Sequence, residues 1–113
     1  MTLLIVENNL EMRRLIVQIV RKLSDAIFEC EDGAEALTAY RRHNPDWVLM
    51  DIEMPQTDGI SATQQIIAAF PNAKIAIVTD YDNANLREAA VAAGASEYIV
   101  KENLIELRRL FAH

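Results

Sequence analysis

Four short apolar runs in the sequence are each followed at once by a polar side chain that can take part in chemistry. The four residues are Glu7, Asp51, Thr79 and Lys101. Asn8 follows Glu7 and adds an amide oxygen beside the carboxylate. A carboxylate can act as a nucleophile, and a hydroxyl or an ammonium can hold phosphoryl oxygens. These residue types indicate phosphoryl transfer to Asp51, with Mg²⁺ bound by Asp51 and the Glu7-Asn8 pair.

Distant chain positions can cooperate in this way only if the fold brings them together. The apolar runs that are typical of strands begin at residues 3, 26, 47, 75 and 97, with intervals of 23, 21, 28 and 22 residues. Each interval fits one strand, one helix and short loops. Five such units predict an α/β fold with right-handed crossovers. The simplest fit is a flavodoxin-like (βα)5 doubly wound parallel sheet with strand order 2-1-3-4-5.

That strand order predicts where the polar residues meet. Strands 1, 3, 4 and 5 lie side by side, and their carboxyl ends form one edge of the sheet. Taken singly, each residue has an ordinary explanation, because Asp51 could cap a loop, Thr79 could bond to backbone and Lys101 could be solvated. The joint pattern favours a shared site.

The helical segments differ in how clearly they show a buried face. In the first, Met12, Leu15 and Ile16 fall at helical spacing with later apolar residues, while Arg13 is expected to turn mostly to water. Asn8 or Asn9 is a candidate cap for this helix.

The last two helices are predicted over residues 83 to 93 and 103 to 112. Gly94 is expected to end the first of them as a C-cap. The last helix carries more apolar residues than one buried stripe requires, namely Leu104, Ile105, Leu107, Leu110 and Phe111. Some of them are therefore expected to face outward as a partner or self-association surface.

Length and composition suit a single domain over residues 1–113. Seventeen acidic and eleven basic residues give a net charge of −6, which argues against direct nucleic-acid binding by this domain. The single cysteine, Cys30, excludes an intrachain disulfide. The apolar runs are far too short to span a membrane, and the start shows no leader pattern. A cytoplasmic location is expected.

The sequence resembles a response-regulator receiver domain, the CheY-like domain of two-component signalling, over essentially its whole length. The matching residues are Val6-Glu7-Asn8, Asp51 with Met54-Pro55 and Asp58-Gly59, Thr79, and Tyr98 with Lys101. The segment from Asp82 to Ala95 is most similar to receivers that carry a C-terminal helix-turn-helix output domain, which suggests transcription regulation.

This resemblance implies a function and a set of roles. A histidine kinase or phosphotransfer protein would donate a phosphoryl group to Asp51. Mg²⁺ would be held by the Glu7-Asn8 pair, Asp51 and the main-chain carbonyl of Glu53. Lys101 would bind the phosphoryl group, with Thr79 and Tyr98 as switch residues. The response would leave through a face made by the fourth helix, the fifth strand and the last helix, toward an output protein, an output domain or a second copy of the chain.

One departure from the family pattern lies at Asn8, where receivers usually have a second acid. An amide brings no negative charge, so weak Mg²⁺ binding is expected. A receiver-shaped interaction module that does not depend on phosphorylation is therefore the alternative function. A phosphatase of the aspartyl-phosphate kind, suggested by Asp51 and Glu53, is a third possibility, but the sequence offers no segment for the substrate cap that it needs.

Overall fold

The computed structural model describes residues 1–111 and contains a five-stranded parallel sheet. The strands run in the spatial order β2-β1-β3-β4-β5, which confirms the flavodoxin-like prediction. Their bounds are β1 (Thr2–Val6), β2 (Ala26–Cys30), β3 (Trp47–Met50), β4 (Ile75–Thr79) and β5 (Glu97–Val100). All four neighbouring pairs are parallel. The four strands that precede the candidate site residues are therefore consecutive neighbours.

Five α-helices alternate with these strands. They are α1 (Leu10–Val20), α2 (Ala36–His43), α3 (Gly59–Ala69), α4 (Ala84–Ala93) and α5 (Glu106–Phe111). Asn9 caps α1, and Gly94 ends α4 with a φ of 104°, a left-handed conformation that glycine adopts at little cost. None of the helices within residues 1–111 has the length and apolar character needed to cross a membrane.

The last helix starts later than its sequence predicts. Residues Lys101–Asn103 form a 3₁₀ turn, and α5 begins at Glu106 rather than near Asn103. The bond from Leu107 N–H to the Leu104 carbonyl, at 3.0 Å, spans three residues, as in a 3₁₀ turn. This tight geometry delays the α-helical pattern. Its predicted end at Ala112 lies outside the described residues.

The sheet separates two apolar layers. Alternation along β1 sends Leu4 and Val6 to one face and Leu3 and Ile5 to the other, and all four are fully buried. Helices on both faces explain why the strands read as unbroken apolar runs. Buried helix residues include Tyr40, Ile66 and Ala90 on the first face and Ile16, Val20 and Leu107 on the second.

The prediction for α1 is wrong at two positions. Arg13 is buried rather than turned to water, and Leu15 is 43% exposed. The buried stripe of this helix is Arg13, Ile16 and Val20. Leu15 falls one residue off that stripe, about 100° around the helix. Arg13 lies on it because its guanidinium finds acceptors, as described below.

Candidate functional site

A polar cavity of about 150 Å³ lies at the carboxyl edge of the sheet. At roughly 30 Å³ for each water, it has room for a small tetrahedral group and a few waters. Every predicted site residue except Tyr98 lines it. The lining residues are Glu7, Asn8, Asn9, Asp51, Glu53, Thr79, Asp80, Tyr81 and Lys101.

The adjacency of β1 and β3 fixes the two buried carboxylates next to each other. The main-chain N–H of Asp51 donates to the Val6 carbonyl at 2.9 Å, which extends the pairing of the two strands to the site. Glu7 is 2% exposed and Asp51 is 7% exposed. Burying two carboxylates side by side is unfavourable unless a cation is near.

Lys101 supplies that cation within the chain. Its Nζ lies 2.8 Å from Glu7 Oε1 and 3.2 Å from Asp51 Oδ1. Glu7 Oε1 is buried and accepts no hydrogen bond within residues 1–111, so its contact with the ammonium is an ion pair. The exposed Asp80 carboxylate lies farther from Nζ, at 3.9 Å. The Lys101 ammonium thus bridges the carboxylates of Asp51 and Glu7.

Burial and charge act differently on the two partners. Burial, and next the Glu7 charge, raise the pKa of Asp51 from 3.8 to about 7, although Lys101 works against this. Burial alone would lower the pKa of Lys101, but its contacts with Glu7 and Asp51 together raise it above the usual value. Lys101 therefore stays cationic near neutral pH, whereas Asp51 lies close to its titration point in the metal-free protein.

The raised pKa of Asp51 predicts a pH-dependent cost in stability. Between its usual pKa of 3.8 and about 7, the folded protein binds this proton more tightly than the unfolded chain does. The stabilising contribution of the protonated Asp51 carboxyl is therefore complete below pH 3.8 and is lost as the pH rises through 7. We expect Asp51→Asn to unfold with a free energy about 1–2 kcal/mol higher than wild type at pH 8, after allowing for solvent screening.

Urea unfolding at pH 5 and pH 8 without divalent cations measures this difference. The gain from Asp51→Asn should be smaller at pH 5, where wild-type Asp51 is mostly protonated. Glu88→Gln, at an exposed position on α4, provides a control in which no such trend is expected. A gain for Asp51→Asn that is equal at both pH values would contradict the assignment of the cost to ionised Asp51.

The oxygen donors expected for Mg²⁺ all line the same cavity, but only two of them are buried carboxylates. Asn8 is exposed, and its Nδ2 donates to the main-chain carbonyl of Glu31 at 3.4 Å, which leaves the amide oxygen free to point elsewhere. Within the described part of the chain, no group of three or more His, Cys, Asp or Glu side chains converges in a way that could hold a metal. Glu7 and Asp51 fit a hard cation, and neutral oxygens from Asn8 and the Glu53 carbonyl would have to complete the set.

Thr79 and Tyr98 contact the same loop from opposite sides. Thr79 is 1% exposed, and its hydroxyl accepts a hydrogen bond from the Tyr81 N–H at 3.3 Å. The Tyr98 hydroxyl donates to the Tyr81 carbonyl at 2.6 Å. The guanidinium of Arg87, on α4, lies 4.4 Å from the centre of the Tyr98 ring. Tyr98 is thus outside the cavity but is joined to it through the backbone of Tyr81.

Tyr81 is a cavity residue that sequence reasoning missed. The nearby Glu53 carboxylate, as acceptor and as a negative charge, raises the pKa of the Tyr81 phenol. Both residues line the cavity. The available signal was an aromatic residue two positions after Thr79, in a loop that is otherwise polar.

Asp32 fixes the loop that follows Asp51. This carboxylate is buried and accepts hydrogen bonds from the main-chain N–H groups of Ala34, Gln56 and Thr57 at 2.9–3.0 Å. These bonds lower the pKa of Asp32 although burial alone would raise it. At the end of the loop, a Cβ on Gly59 would lie 1.8 Å from the Asp51 carbonyl, so only glycine fits there.

The structure is a doubly wound α/β domain with a polar cavity at the carboxyl edge of its parallel sheet, and comparison with known sequences identifies its family. The family model of the response regulator receiver domain matches residues 3–112, so the chain belongs to this family. Receiver domains are phosphoacceptor modules of two-component signalling that generally bind Mg²⁺ and interact with histidine kinases and with output domains or partner proteins.

Individual relatives agree with this membership. The chemotaxis protein CheY of Bacillus subtilis is 37% identical over 100 residues, which cover 88% of this chain and 83% of that protein. A DNA-binding response regulator of the LuxR family from Staphylococcus aureus has a TM-score of 0.86 at 30% identity, covering 96% of this chain and 92% of that one. CheY in the CheX-CheY-BeF3-Mg²⁺ complex from Borrelia burgdorferi has a TM-score of 0.87 at 28% identity, covering 97% and 88%.

Proposed function

We propose that this receiver domain accepts a phosphoryl group on Asp51 from the phosphohistidine of a histidine kinase or phosphotransfer protein. The observation that carries the proposal is the position of the Asp51 carboxylate, 3.2 Å from the Lys101 ammonium in a cavity that also contains Glu7 and Thr79. A nucleophile and the groups that stabilise phosphoryl oxygens thereby share one small polar space.

Each residue has a distinct role in this transfer. A carboxylate oxygen of Asp51 bonds to phosphorus while the phosphorus–nitrogen bond to the donor histidine breaks, and the bonding electron pair stays on the leaving imidazole, which takes up a proton from solvent. Lys101 and the Thr79 hydroxyl bind phosphoryl oxygens. Glu7, Asp51, the Asn8 amide oxygen and the Glu53 carbonyl would hold Mg²⁺, which when bound neutralises charge on the phosphoryl group. Catalysis in this arrangement depends mainly on positioning and charge.

Incubation with phosphoramidate and Mg²⁺, followed by intact-mass measurement, tests the proposal directly. One phosphoryl adduct is expected, and it should be lost on treatment with hydroxylamine, which cleaves acyl phosphates. Addition of a metal chelator should suppress the adduct. A protein that folds normally and gains no adduct over a range of Mg²⁺ concentrations would favour a receiver-shaped module that acts without phosphorylation.

One observation favours that second function. Lys101 already offsets one of the two carboxylate charges of Glu7 and Asp51 inside the cavity, and Asn8 contributes no charge that would draw in a divalent cation. A resident ammonium and a neutral amide both reduce the attraction for Mg²⁺.

Asn8→Asp is expected to tighten Mg²⁺ binding about tenfold, or ~1.4 kcal/mol, and to speed labelling by phosphoramidate. The reason is the added negative charge at a predicted ligand position. Calorimetric titration with Mg²⁺ measures the change.

Asn9→Asp is the matched control for this experiment. It adds the same charge one residue away, but the Asn9 side chain is engaged in capping α1, where Met12 N–H donates to Oδ1 at 2.9 Å, and aspartate can keep that bond. We expect a clearly smaller gain for Asn9→Asp. Equal gains would mean that only the overall charge matters, and no gain for Asn8→Asp would contradict Asn8 as a ligand.

We further propose that the signal leaves through the output face, defined as the exposed surface of α4, β5, residues 101–105 and α5. Ile105 is 61% exposed and Val91 on α4 is 66% exposed. A groove of about 470 Å³ lies between β5 and α5 and is lined by Tyr98 and Leu110 among others. The Tyr98 hydroxyl joins this face to the loop after Thr79, so a shift of Thr79 toward a phosphoryl group can alter it.

A further inference from the structure

Arg13 is buried although it carries a full positive charge. It is 8% exposed, and its guanidinium contacts three acceptors. Nη1 donates to the main-chain carbonyl of Glu7 at 2.8 Å, and Nε donates to Glu29 Oε1 at 2.9 Å. Nη2 lies 3.8 Å from Glu31 Oε1. One rigid, planar group therefore ties the loop after β1 to the end of β2.

The bond to Glu7 acts on a particular part of the site. The Glu7 carbonyl belongs to the planar peptide unit that joins Glu7 to Asn8, and its orientation is set together with that of the Asn8 N–H. On the cavity side, Glu7 Oε2 accepts from the Asn9 N–H at 3.0 Å. The side chain of Glu7 is thus held from one direction and its carbonyl from the other. Arg13 is the only side chain among the described residues that donates to this carbonyl.

We propose that Arg13 is a positioning residue for the divalent cation, because it fixes the Glu7–Asn8 peptide, whose two side chains both line the cavity. The inference rests on the proposed function, in which these residues bind Mg²⁺. Packing alone does not require a buried charge at this position of α1, and the proposed role explains why one is present. The orientation of the Asn8 side chain matters more than that of a carboxylate would, because a misaligned amide has no net charge with which to attract the cation.

The effect of removing Arg13 has opposite signs under the two possible roles. A guanidinium close to the site repels a divalent cation, so loss of its charge alone would tighten Mg²⁺ binding. Loss of its hydrogen bond to Glu7 would misplace two ligands and weaken binding. Groups that orient metal ligands without touching the metal typically change affinity about 10–100-fold.

Calorimetric Mg²⁺ titration of Arg13→Met therefore distinguishes the roles. We expect the dissociation constant to rise at least about tenfold relative to wild type. Arg14→Met is the matched control, because Arg14 is the next residue on the same helix and is exposed. That variant loses the same charge and should bind Mg²⁺ as well as wild type or slightly better.

Folding of the variants is checked independently through Trp47 fluorescence. Trp47 begins β3, at the opposite end of the strand from Asp51, and packs edge-on against Phe111, so it reports the fold rather than the cavity. If Arg13→Met does not fold, Arg13→Lys serves in its place. Lysine keeps the charge but cannot donate to Glu7 and Glu29 together with guanidinium geometry, so several-fold weaker binding is expected.

The outcomes separate the inference from the function on which it rests. A folded Arg13→Met that binds Mg²⁺ as tightly as wild type, or more tightly, overturns the inference alone. The same holds for Arg13→Lys with wild-type affinity if it is the variant that folds. Wild type that binds no Mg²⁺ overturns the proposed metal site and the inference together.

Discussion

The Asp51→Asn variant is expected to gain no phosphoryl adduct under conditions in which wild type gains one. An amide nitrogen is not a nucleophile toward phosphorus at neutral pH, and the amide oxygen cannot form a stable acyl phosphate. The substitution keeps the size of the side chain, and the Lys101 ammonium can still contact the amide oxygen at the position of Asp51 Oδ1. Loss of labelling should therefore be complete while the fold is kept.

Asp80→Asn is the control for this experiment. Asp80 lines the same cavity and lies 3.9 Å from Lys101, but it is exposed and follows Thr79 rather than β3. Labelling should persist in this variant. Intact mass followed by peptide mapping measures the adduct and its position. An adduct that persists on another residue of Asp51→Asn, or one that disappears from Asp80→Asn alone, would sink the assignment of Asp51 as the acceptor.

The architecture could be predicted because its signals are local and repeated. Unbroken apolar runs such as Leu3–Val6 are typical of strands covered on both faces, and their spacing leaves room for one helix each. Once the strand order is set, the meeting of residues as distant as Asp51 and Lys101 follows from topology, since carboxyl ends of parallel strands share an edge. That reasoning needs no knowledge of side-chain conformations.

Other features depend on contacts that the sequence does not display. Helical spacing alone predicted that Arg13 faces water. Its side chain is buried instead, because it donates hydrogen bonds to Glu29 on β2 and to the carbonyl of Glu7. Likewise, Tyr81 lines the site because the loop after β4 places it near Glu53, which belongs to the loop after β3. Arg13 and Tyr81 owe their places to a few polar contacts with other segments, which hydrophobic periodicity does not report.

The presence of an exposed apolar residue near the end of the chain could be predicted. An excess of apolar residues near the end of the chain indicated that some of them face outward. In the structure Leu104, Leu107 and Phe111 are buried, Leu110 is half-buried and Ile105 is largely exposed. Leu104, Leu107 and Phe111 recur at intervals of three and four residues and form one buried stripe, and Ile105 lies one residue off it, which explains its exposure.

Ile105→Glu is expected to remove the response of the protein to a phosphoryl mimic without preventing the mimic from binding. In wild type, BeF3⁻ with Mg²⁺ should shift self-association or partner affinity, because Thr79 and Tyr98 both contact the backbone of Tyr81 next to the output face. A glutamate at the centre of an apolar contact costs about 1–2 kcal/mol or more, so the association constant in the presence of the mimic should fall at least about tenfold.

Sedimentation velocity with and without the mimic, for wild type and each variant, measures the change. Leu10→Glu is the matched control, since Leu10 is 47% exposed and begins α1, where it lies beside Arg13 and Glu29 and not on the output face. It undergoes the same apolar-to-acidic change and should respond to the mimic as wild type does. If wild type binds the mimic but neither self-association nor partner affinity changes, the output face has no role in the response. The proposed output face is wrong if the response survives undiminished in Ile105→Glu, or if it is lost equally in Leu10→Glu. A specific contact through residues 101–105 must be sensitive to a charge at Ile105 and insensitive to one at Leu10.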